Sequence, residues 1–89
     1  MIISLYSVFD KKMGVFLSPF PARNVVEASR QIKAAMSDPQ MRNADFVLTP
    51  SDFSLSRRAD FDDERGLVIP VDDFVFIELA SLAPGTVTP

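Results

Sequence analysis

The amino-acid sequence predicts an α+β fold in which two β-hairpins form a mostly antiparallel four-stranded sheet and one amphipathic helix packs on one face. Two observations predict the hairpins. Apolar and polar residues alternate on either side of two polar loops, and each loop is five residues long and ends in glycine. A third observation predicts the helix, because apolar residues between the hairpins recur at helical spacing. The order hairpin, helix, hairpin places the helix across one face of the sheet.

The first hairpin is predicted from residues 2–9, a loop at 10–14 and a return strand at 15–20. Pro19 and Pro21 have no backbone N–H to donate to a neighbouring strand. The end of the return strand should therefore lie at an edge of the sheet or leave it.

The helix is expected to begin after Asn24 and to end near Ser37. Asn24 is a favoured N-cap residue, and Glu27 at the third helical position can reach back to the cap N–H. Pro39 disfavours helical geometry in the residue before it. The residues expected to form the apolar stripe share helical spacing: Val25, Ala28, Ile32 and either Ala35 or Met36.

Residues 37–52 are interpreted as an ordered loop with room for a short helical turn. The second hairpin comes next, with strands at 53–61 and 67–71 around a loop at 62–66. In the first of these strands every second residue is apolar except Arg57, which predicts a single buried face. The apolar residues of that face are Phe53, Leu55, Ala59 and Phe61. The likeness of the two hairpins is expected from turn chemistry and does not require an internal repeat.

The C-terminal element at residues 72–82 has two interpretations, a fifth strand or a short helix capped by Asp72 or Asp73, and the helix is favoured. The domain is expected to span residues 1–82. Residues 83–89 are expected to form a flexible tail.

Composition excludes several classes of function. The 89 residues suit one domain with a net charge of −3. The absence of Cys and His removes disulfides, thiolate chemistry and the commonest general base and metal ligand. We therefore expect a binding or regulatory protein, not an enzyme, with no cofactor and no metal. We also expect no membrane segment, and a cytoplasmic location.

The densest charge cluster is acidic and allows two interpretations. Its members lie around the second loop: Asp60, Asp62, Asp63 and Glu64. Hard cations take several oxygen ligands, so a metal site is conceivable. Asp and Gly at a hairpin tip are favoured by turn chemistry alone, and a solvated turn is the preferred interpretation.

Five cations are candidates for contact with nucleic-acid phosphates: Lys11, Lys12, Arg23, Arg57 and Arg58. Arg57 and Arg58 should point to opposite faces, because they are adjacent in a strand. Arg57 either extends its charge to water or pairs with a buried carboxylate. Arg58 should join the polar face, where Tyr6 or an exposed Phe would add base stacking. A mixed-charge solvated face is the alternative.

Aromatic side chains should dominate a core this small. Phe53, Phe61, Phe74 and Phe76 are predicted to be core residues. The alternative places Phe74 and Phe76 on an exposed strand, where they would form an apolar patch with Ile77 that a partner or a second copy covers.

Three segments together resemble the small nonstructural protein of gokushovirus-type phages of the Microviridae, which have single-stranded DNA genomes. The resemblance covers roughly residues 5–69 and depends on order and spacing. The residues that carry it are Leu5-Tyr6-Ser7-Val8-Phe9-Asp10 with Gly14 and Pro19-Phe20, then Asp38-Pro39, then Asp52-Phe53-Ser54-Leu55, Asp60-Phe61-Asp62-Asp63 and Gly66.

The resemblance implies a nonstructural protein, made in the infected bacterium and associated with DNA replication or its switch to packaging. It supplies no catalytic residues. The expected partners are single-stranded DNA, or phage or host replication and packaging proteins, with the chain acting as a homo-oligomer, for which a homodimer is the simplest form. The alternatives are a protein-only oligomeric adaptor and a minor capsid or scaffolding-associated protein.

Overall fold

An antiparallel sheet carries one main helix on one of its faces, in a computed structural model that describes residues 1–72 and 76–84. In this part of the chain six strands form one sheet. The strands are β1 Ile2–Asp10, β2 Val15–Phe16, β3 Phe20–Ala22, β4 Phe53–Asp62, β5 Leu67–Pro70 and β6 Ile77–Glu78. The α-helices are α1 Val25–Ser37 and α2 Asp45–Leu48, and 3-10 turns occur at Pro39–Met41, Pro50–Asp52 and Leu79–Leu82.

The long strands β1 and β4 lie side by side at the centre, antiparallel from the Ile2–Asp62 pair to the Asp10–Phe53 pair. Two short strands share each outer position: β2 and β3 pair with β1, and β5 and β6 pair with β4. The predicted α+β class and its two hairpins are confirmed. The predicted strand count of four is corrected to six strands in four positions.

The return strand predicted at 15–20 is wrong as a continuous strand. It divides after Phe16, because Pro19 has no N–H for the ladder, and pairing with β1 resumes at Phe20. The second return strand ends at Pro70, one residue earlier than expected.

Both hairpin turns have the same chemistry. The Asp10 carboxylate accepts hydrogen bonds from the backbone N–H of Lys12 and Met13, and Gly14 has φ of 69°. The Asp62 carboxylate accepts from the N–H of Glu64 and Arg65, and Gly66 has φ of 68°. An aspartate that accepts from the turn backbone and a glycine with positive φ are what a tight turn requires.

Helix α1 has the predicted bounds. Asn24 Oδ1 accepts a hydrogen bond from Glu27 N at 2.9 Å, and the N–H of Asp38 closes the C-terminal end on Ala35 O. The Glu27 carboxylate accepts from Arg23. Ala28, Ile32 and Met36 are buried, whereas Val25, expected in the stripe, is 42% exposed.

The core lies between α1 and one face of the sheet, which we call the helix face. Its fully buried large side chains are Leu55 and Leu79, and the other buried members are Tyr6, Val8, Ala22, Ala28, Ile32, Met36 and Phe53. The opposite face, the second face, takes Ile3, Leu5, Ser7 and Phe9 from β1 and their partners across the ladder.

A β-bulge in β4 redirects half of that strand. Leu5 lies opposite Ala59 while Tyr6 lies opposite Arg57, so Arg58 is an extra residue. Beyond the bulge the alternation reverses, and Ala59 and Phe61 lie on the second face. The predicted common face of Phe53, Leu55, Ala59 and Phe61 is therefore wrong.

The linking and C-terminal segments differ from expectation in detail. Residues 37–52 contain α2 and two 3-10 turns, which is more helical structure than the ordered loop predicted. The favoured C-terminal helix is replaced by β6 and the 3-10 turn Leu79–Leu82. Residues 73–75, with Asp73 and Phe74, and most of the expected tail lie outside the described part.

Candidate nucleic-acid interface

Three of the five candidate cations are engaged by carboxylates at the periphery of the sheet. Lys11 Nζ pairs with Glu78 and donates to Ser51 O at 3.2 Å. Lys12 Nζ lies 3.3 Å from a carboxylate oxygen of Asp52. Arg23 Nε donates to a Glu27 carboxylate oxygen at 2.7 Å, and that hydrogen bond lowers the Glu27 pKa. Each of these three charges is already locally balanced.

Arg57 lies on the helix face and pairs with a half-buried carboxylate, which confirms one of its two predicted roles. Its Nε donates to Asp60 Oδ1 at 3.1 Å, and Ser4 Oγ lies 3.2 Å from the same oxygen. The hydrogen bond from Arg57 holds the pKa of Asp60 below its usual value, against the opposing effect of burial. The bulge makes this pair possible, because residues three apart in a regular strand face opposite ways.

Arg58 lies on the second face, opposite to Arg57 as predicted, but this face also carries apolar side chains such as Leu5 and Phe9 and is not the polar face expected. Its guanidinium donates to Ser56 Oγ at 3.3 Å, and its central carbon lies 5.0 Å from the centroid of the Phe16 ring. Phe16 packs against Phe9 with centroids 4.7 Å apart and planes at 44°. We call the set Arg58, Phe16, Phe9 and Ser56 the Arg58–Phe16 platform.

Small hydroxyl side chains lie within and beside the platform on the sheet. Ser7, Ser54 and Ser56 are each 2% exposed, and Ser7 Oγ donates to Leu17 O at 2.6 Å. Serines in these positions let the long Arg58 side chain extend along the sheet towards Phe16. The Phe16 ring remains 47% exposed. The second face thus presents an accessible aromatic ring in contact with a cation.

The platform has the chemistry of a nucleic-acid contact. Bases stack on exposed aromatic rings, and a guanidinium contributes both charge and planar hydrogen bonding to phosphate. Among the ion pairs of residues 1–72 and 76–84, none involves Arg58. Each of the other four candidate cations forms an ion pair with a carboxylate.

The structure does not gather the five predicted cations into one patch. Arg57 faces the helix side. Arg23 follows Ala22, which lies opposite Ser4 near the start of β1, whereas Lys11 follows the end of β1. Phe9 and Phe16 are not among the predicted site residues, although both flank the first turn at matching distances, a signal for a cross-strand pair.

The three candidate interface residues have different environments. Phe74 lies outside the described residues. Phe76 is 43% exposed, so its predicted place in the core is wrong. Ile77 lies opposite Leu55 in β6 and packs against the core, which makes it a poor surface residue.

The acidic residues of the second hairpin have separate roles. Asp60 pairs with Arg57, Asp62 closes the turn, and Asp63 lies 2.7 Å from the N-terminal ammonium, whose pKa it raises. Within the described ranges no group of three acidic side chains is arranged to hold a metal ion.

A bilayer-spanning helix would have to be both long and strongly apolar, and no helix in residues 1–72 and 76–84 meets both conditions.

Comparisons with known proteins gave one match. No curated protein and no solved structure matches the chain. A family model described as Phage ORF5 protein matches residues 3–83. The match includes both hairpins, α1 and the C-terminal turn, and it confirms the phage origin that the sequence resemblance implied. The chain therefore belongs to the Phage ORF5 protein family.

Proposed function

We propose that this phage protein is a nonstructural binding protein of a gokushovirus-type member of the Microviridae. It acts by recognition and not by catalysis, in the cytoplasm of the host. Its role lies in single-stranded DNA replication or in the switch from replication to packaging. Family membership supports the phage assignment. The resemblance to the Microviridae is carried by the two hairpins and by Asp38-Pro39 between them.

One observation carries the DNA-binding part of the proposal, the contact between Arg58 and the exposed ring of Phe16. A base stacked on an aromatic side chain contributes about 1–3 kcal/mol. Net charge of −3 opposes bulk attraction to DNA, so affinity must come from local contacts. We expect weak binding whose salt dependence corresponds to only one or two phosphates.

The test is a titration of a fluorescently labelled oligothymidine with the full chain at low and at moderate salt. Arg58→Ala and Phe16→Ala should each weaken binding about tenfold, because each removes one stacking or charge contact. Arg42→Ala is the charge-matched control, since Arg42 is exposed and its loss changes net charge equally. Phe76→Ala is the aromatic control, with 43% exposure against 47% for Phe16.

Two results would contradict direct DNA contact at this face. The first is an absence of binding at low salt. The second is an equal loss from Arg58→Ala and Arg42→Ala, which would mean that net charge alone governs the affinity.

The exposure of Phe76 favours a second candidate function, a protein-only adaptor or a component associated with the capsid or scaffold. Phe76→Asp should then abolish association with phage proteins in infected cells, while leaving the thermal unfolding of the isolated chain unchanged. Recovery of the chain with nucleic acid instead of with particles would reject this candidate.

A further inference from the structure

The Arg58–Phe16 platform joins side chains from strands that are not neighbours. Phe16 lies on β2, Arg58 lies on β4, and β1 runs between these two strands. The central guanidinium carbon of Arg58 nevertheless lies 5.0 Å from the centroid of the Phe16 ring. An arginine side chain has many rotamers in solution, and holding it in one of them has an entropic cost. The contact therefore depends on groups that hold Arg58 and Phe16 in place.

The strand that carries Phe16 gives this residue little support. β2 has two residues, both exposed, and its ladder with β1 consists of the Phe9–Phe16 and Asp10–Val15 pairs. Pairing with β1 resumes only at Phe20. Phe16 is thus the last residue of a very short strand, and the segment that follows it has to be held by other bonds.

Leu17, the residue after Phe16, is held to β1 at both of its backbone groups. Its N–H donates to Val8 O at 2.8 Å, and its carbonyl accepts from Ser7 Oγ at 2.6 Å. The second bond comes from a side chain on the second face, which is the face that carries the Phe16 ring. Ser7 is buried, and a hydrogen bond shielded from water is electrostatically stronger than an exposed one. The Ser7 hydroxyl therefore fixes the backbone directly after the ring.

The residue opposite Ser7 in the ladder holds the other member of the contact. Ser7 lies opposite Ser56 in the pairing of β1 with β4. Ser56 Oγ accepts a hydrogen bond from Arg58 Nη1 at 3.3 Å, and Ser56 is as buried as Ser7. A single cross-strand pair thus bonds to both halves of the platform. Ser56 bonds to Arg58 itself, and Ser7 bonds to the residue that follows Phe16.

The small size of Ser7 contributes as well as its hydroxyl. The neighbours of Ser7 on the second face of β1 are Leu5 and Phe9, because side chains alternate along a strand. A serine between two large side chains leaves a gap across β1 at the level of Ser56. This gap gives the Arg58 side chain a path from β4 to the ring on β2.

We propose that Ser7 and Ser56 are positioning residues, which hold the Phe16 ring and the Arg58 guanidinium together before any ligand binds. The consequence for DNA rests on the proposed function, whereas the positioning itself is a property of the free chain. A contact that is already formed avoids the cost of immobilising one long side chain on binding, which corresponds to about two- to tenfold in affinity. Neither serine has to touch DNA for this effect.

The first experiment observes the free chain by NMR. Protons above the face of an aromatic ring are shielded, so the side-chain protons of Arg58 should resonate upfield in the wild type, and Phe16→Ala should remove the shift. Ser7→Ala and Ser56→Ala should each reduce it. Ser54→Ala is the matched control and should leave it unchanged. Ser54 is equally buried on the same face, and among the hydrogen bonds of residues 1–72 and 76–84 its hydroxyl reaches neither the Arg58 guanidinium nor the carbonyl that accepts from Ser7.

The second experiment repeats the oligothymidine titration with the serine variants. Ser7→Ala and Ser56→Ala should each weaken binding about two- to tenfold, and Ser54→Ala should not. A positioning residue acts through its partner, so Ser7→Ala should have no further effect in a Phe16→Ala chain. Ser56→Ala should likewise have none in an Arg58→Ala chain. A loss caused by general destabilisation would persist in both backgrounds.

Two results would overturn the positioning role. One is an Arg58 signal that is unshifted in the wild type or unchanged in Ser7→Ala and Ser56→Ala, and a change in one variant alone would overturn the role of the other serine. The second is a loss of DNA affinity that persists in the Phe16→Ala and Arg58→Ala backgrounds. Failure of the proposed function gives a different pattern, in which the serine variants still change the Arg58 signals but no platform variant alters the titration.

Discussion

The two halves of the sheet, β1–β3 and β4–β6, have the same order of strands, but the elements that follow them in the chain differ. In each half a long strand ends in an aspartate, turns over four residues to a glycine of positive φ, and pairs with a short strand. A second short strand then pairs with the other end of the long strand, as β3 does with β1 and β6 with β4.

The first half continues into α1, with thirteen residues, whereas the second continues into a single 3-10 turn of four. The bulge in the β1–β4 ladder belongs to the second half, and the interrupted edge belongs to the first. Turn chemistry is local and therefore recurs in both halves. Helix length, edge continuity and the bulge depend on contacts between distant segments, and these distinguish the halves.

The largest expected effect concerns the turn Leu79–Leu82, which contacts α1, β4 and the 3-10 turn before β4. Leu79 is 0% exposed and is the buried residue of this turn. Leu79→Ala should lower the free energy of unfolding by about 2–5 kcal/mol, measured by urea denaturation, because it leaves a cavity in the core.

Leu48→Ala is the control for this substitution, since Leu48 also lies on a short helix but is 61% exposed. Its effect should stay within about 0.5 kcal/mol. Equal effects would show that the second half does not depend on this single buried leucine.

The features predicted from the sequence are those that neighbouring residues determine. The bounds of α1 follow from Asn24 and Pro39, and both turns follow from an aspartate and a glycine within five residues. No pattern in the neighbouring residues predicts the bulge at Arg58, because the bulge depends on how β4 pairs with the distant strand β1. The faces of Ala59 and Phe61 were assigned wrongly for that reason.

The Arg58–Phe16 platform was only half predictable. The sequence predicts Arg58 as a cation on the polar face. Its neighbours come from β1 and β2, and their approach requires the register of both pairings as well as the bulge. The predicted C-terminal helix is wrong because the β-branched and helix-forming residues of this segment support either structure, and the tertiary contacts of Leu79 decide between them.

The Arg57–Asp60 pair beside the bulge occurs only in the second half of the described sheet, and its loss should have the next largest effect on stability. Asp60 is 17% exposed and Arg57 is 35% exposed. Asp60→Asn should lower the free energy of unfolding at neutral pH by about 1–2 kcal/mol, because it leaves a half-buried guanidinium without its carboxylate.

The pH dependence of this effect has a definite sign. The folded state holds the Asp60 pKa below its unfolded value, so the pair stabilises the fold above about pH 4, the usual range for an aspartate. The contribution disappears as pH falls through the folded pKa, and the difference between wild type and Asp60→Asn should shrink there. Asp45→Asn, at an exposed aspartate, is the control. A difference that persists undiminished in acid would assign the effect to packing.

The smallest expected effect tests the likeness of the halves. Gly14 and Gly66 have φ of 69° and 68°, and a Cβ built on either meets no atom within 4 Å. The penalty for Gly14→Ala or Gly66→Ala should therefore come from backbone conformation alone, about 1 kcal/mol at each site. Asparagine tolerates this conformation better, so each Gly→Asn variant should be the milder of the two at its site.

The double alanine variant sharpens the same test. The two turns lie at opposite ends of the β1–β4 ladder, so their costs should add to within about 0.5 kcal/mol in urea denaturation. If Gly66→Ala costs clearly more than Gly14→Ala, backbone conformation cannot be the whole cause, because it is the same in both turns.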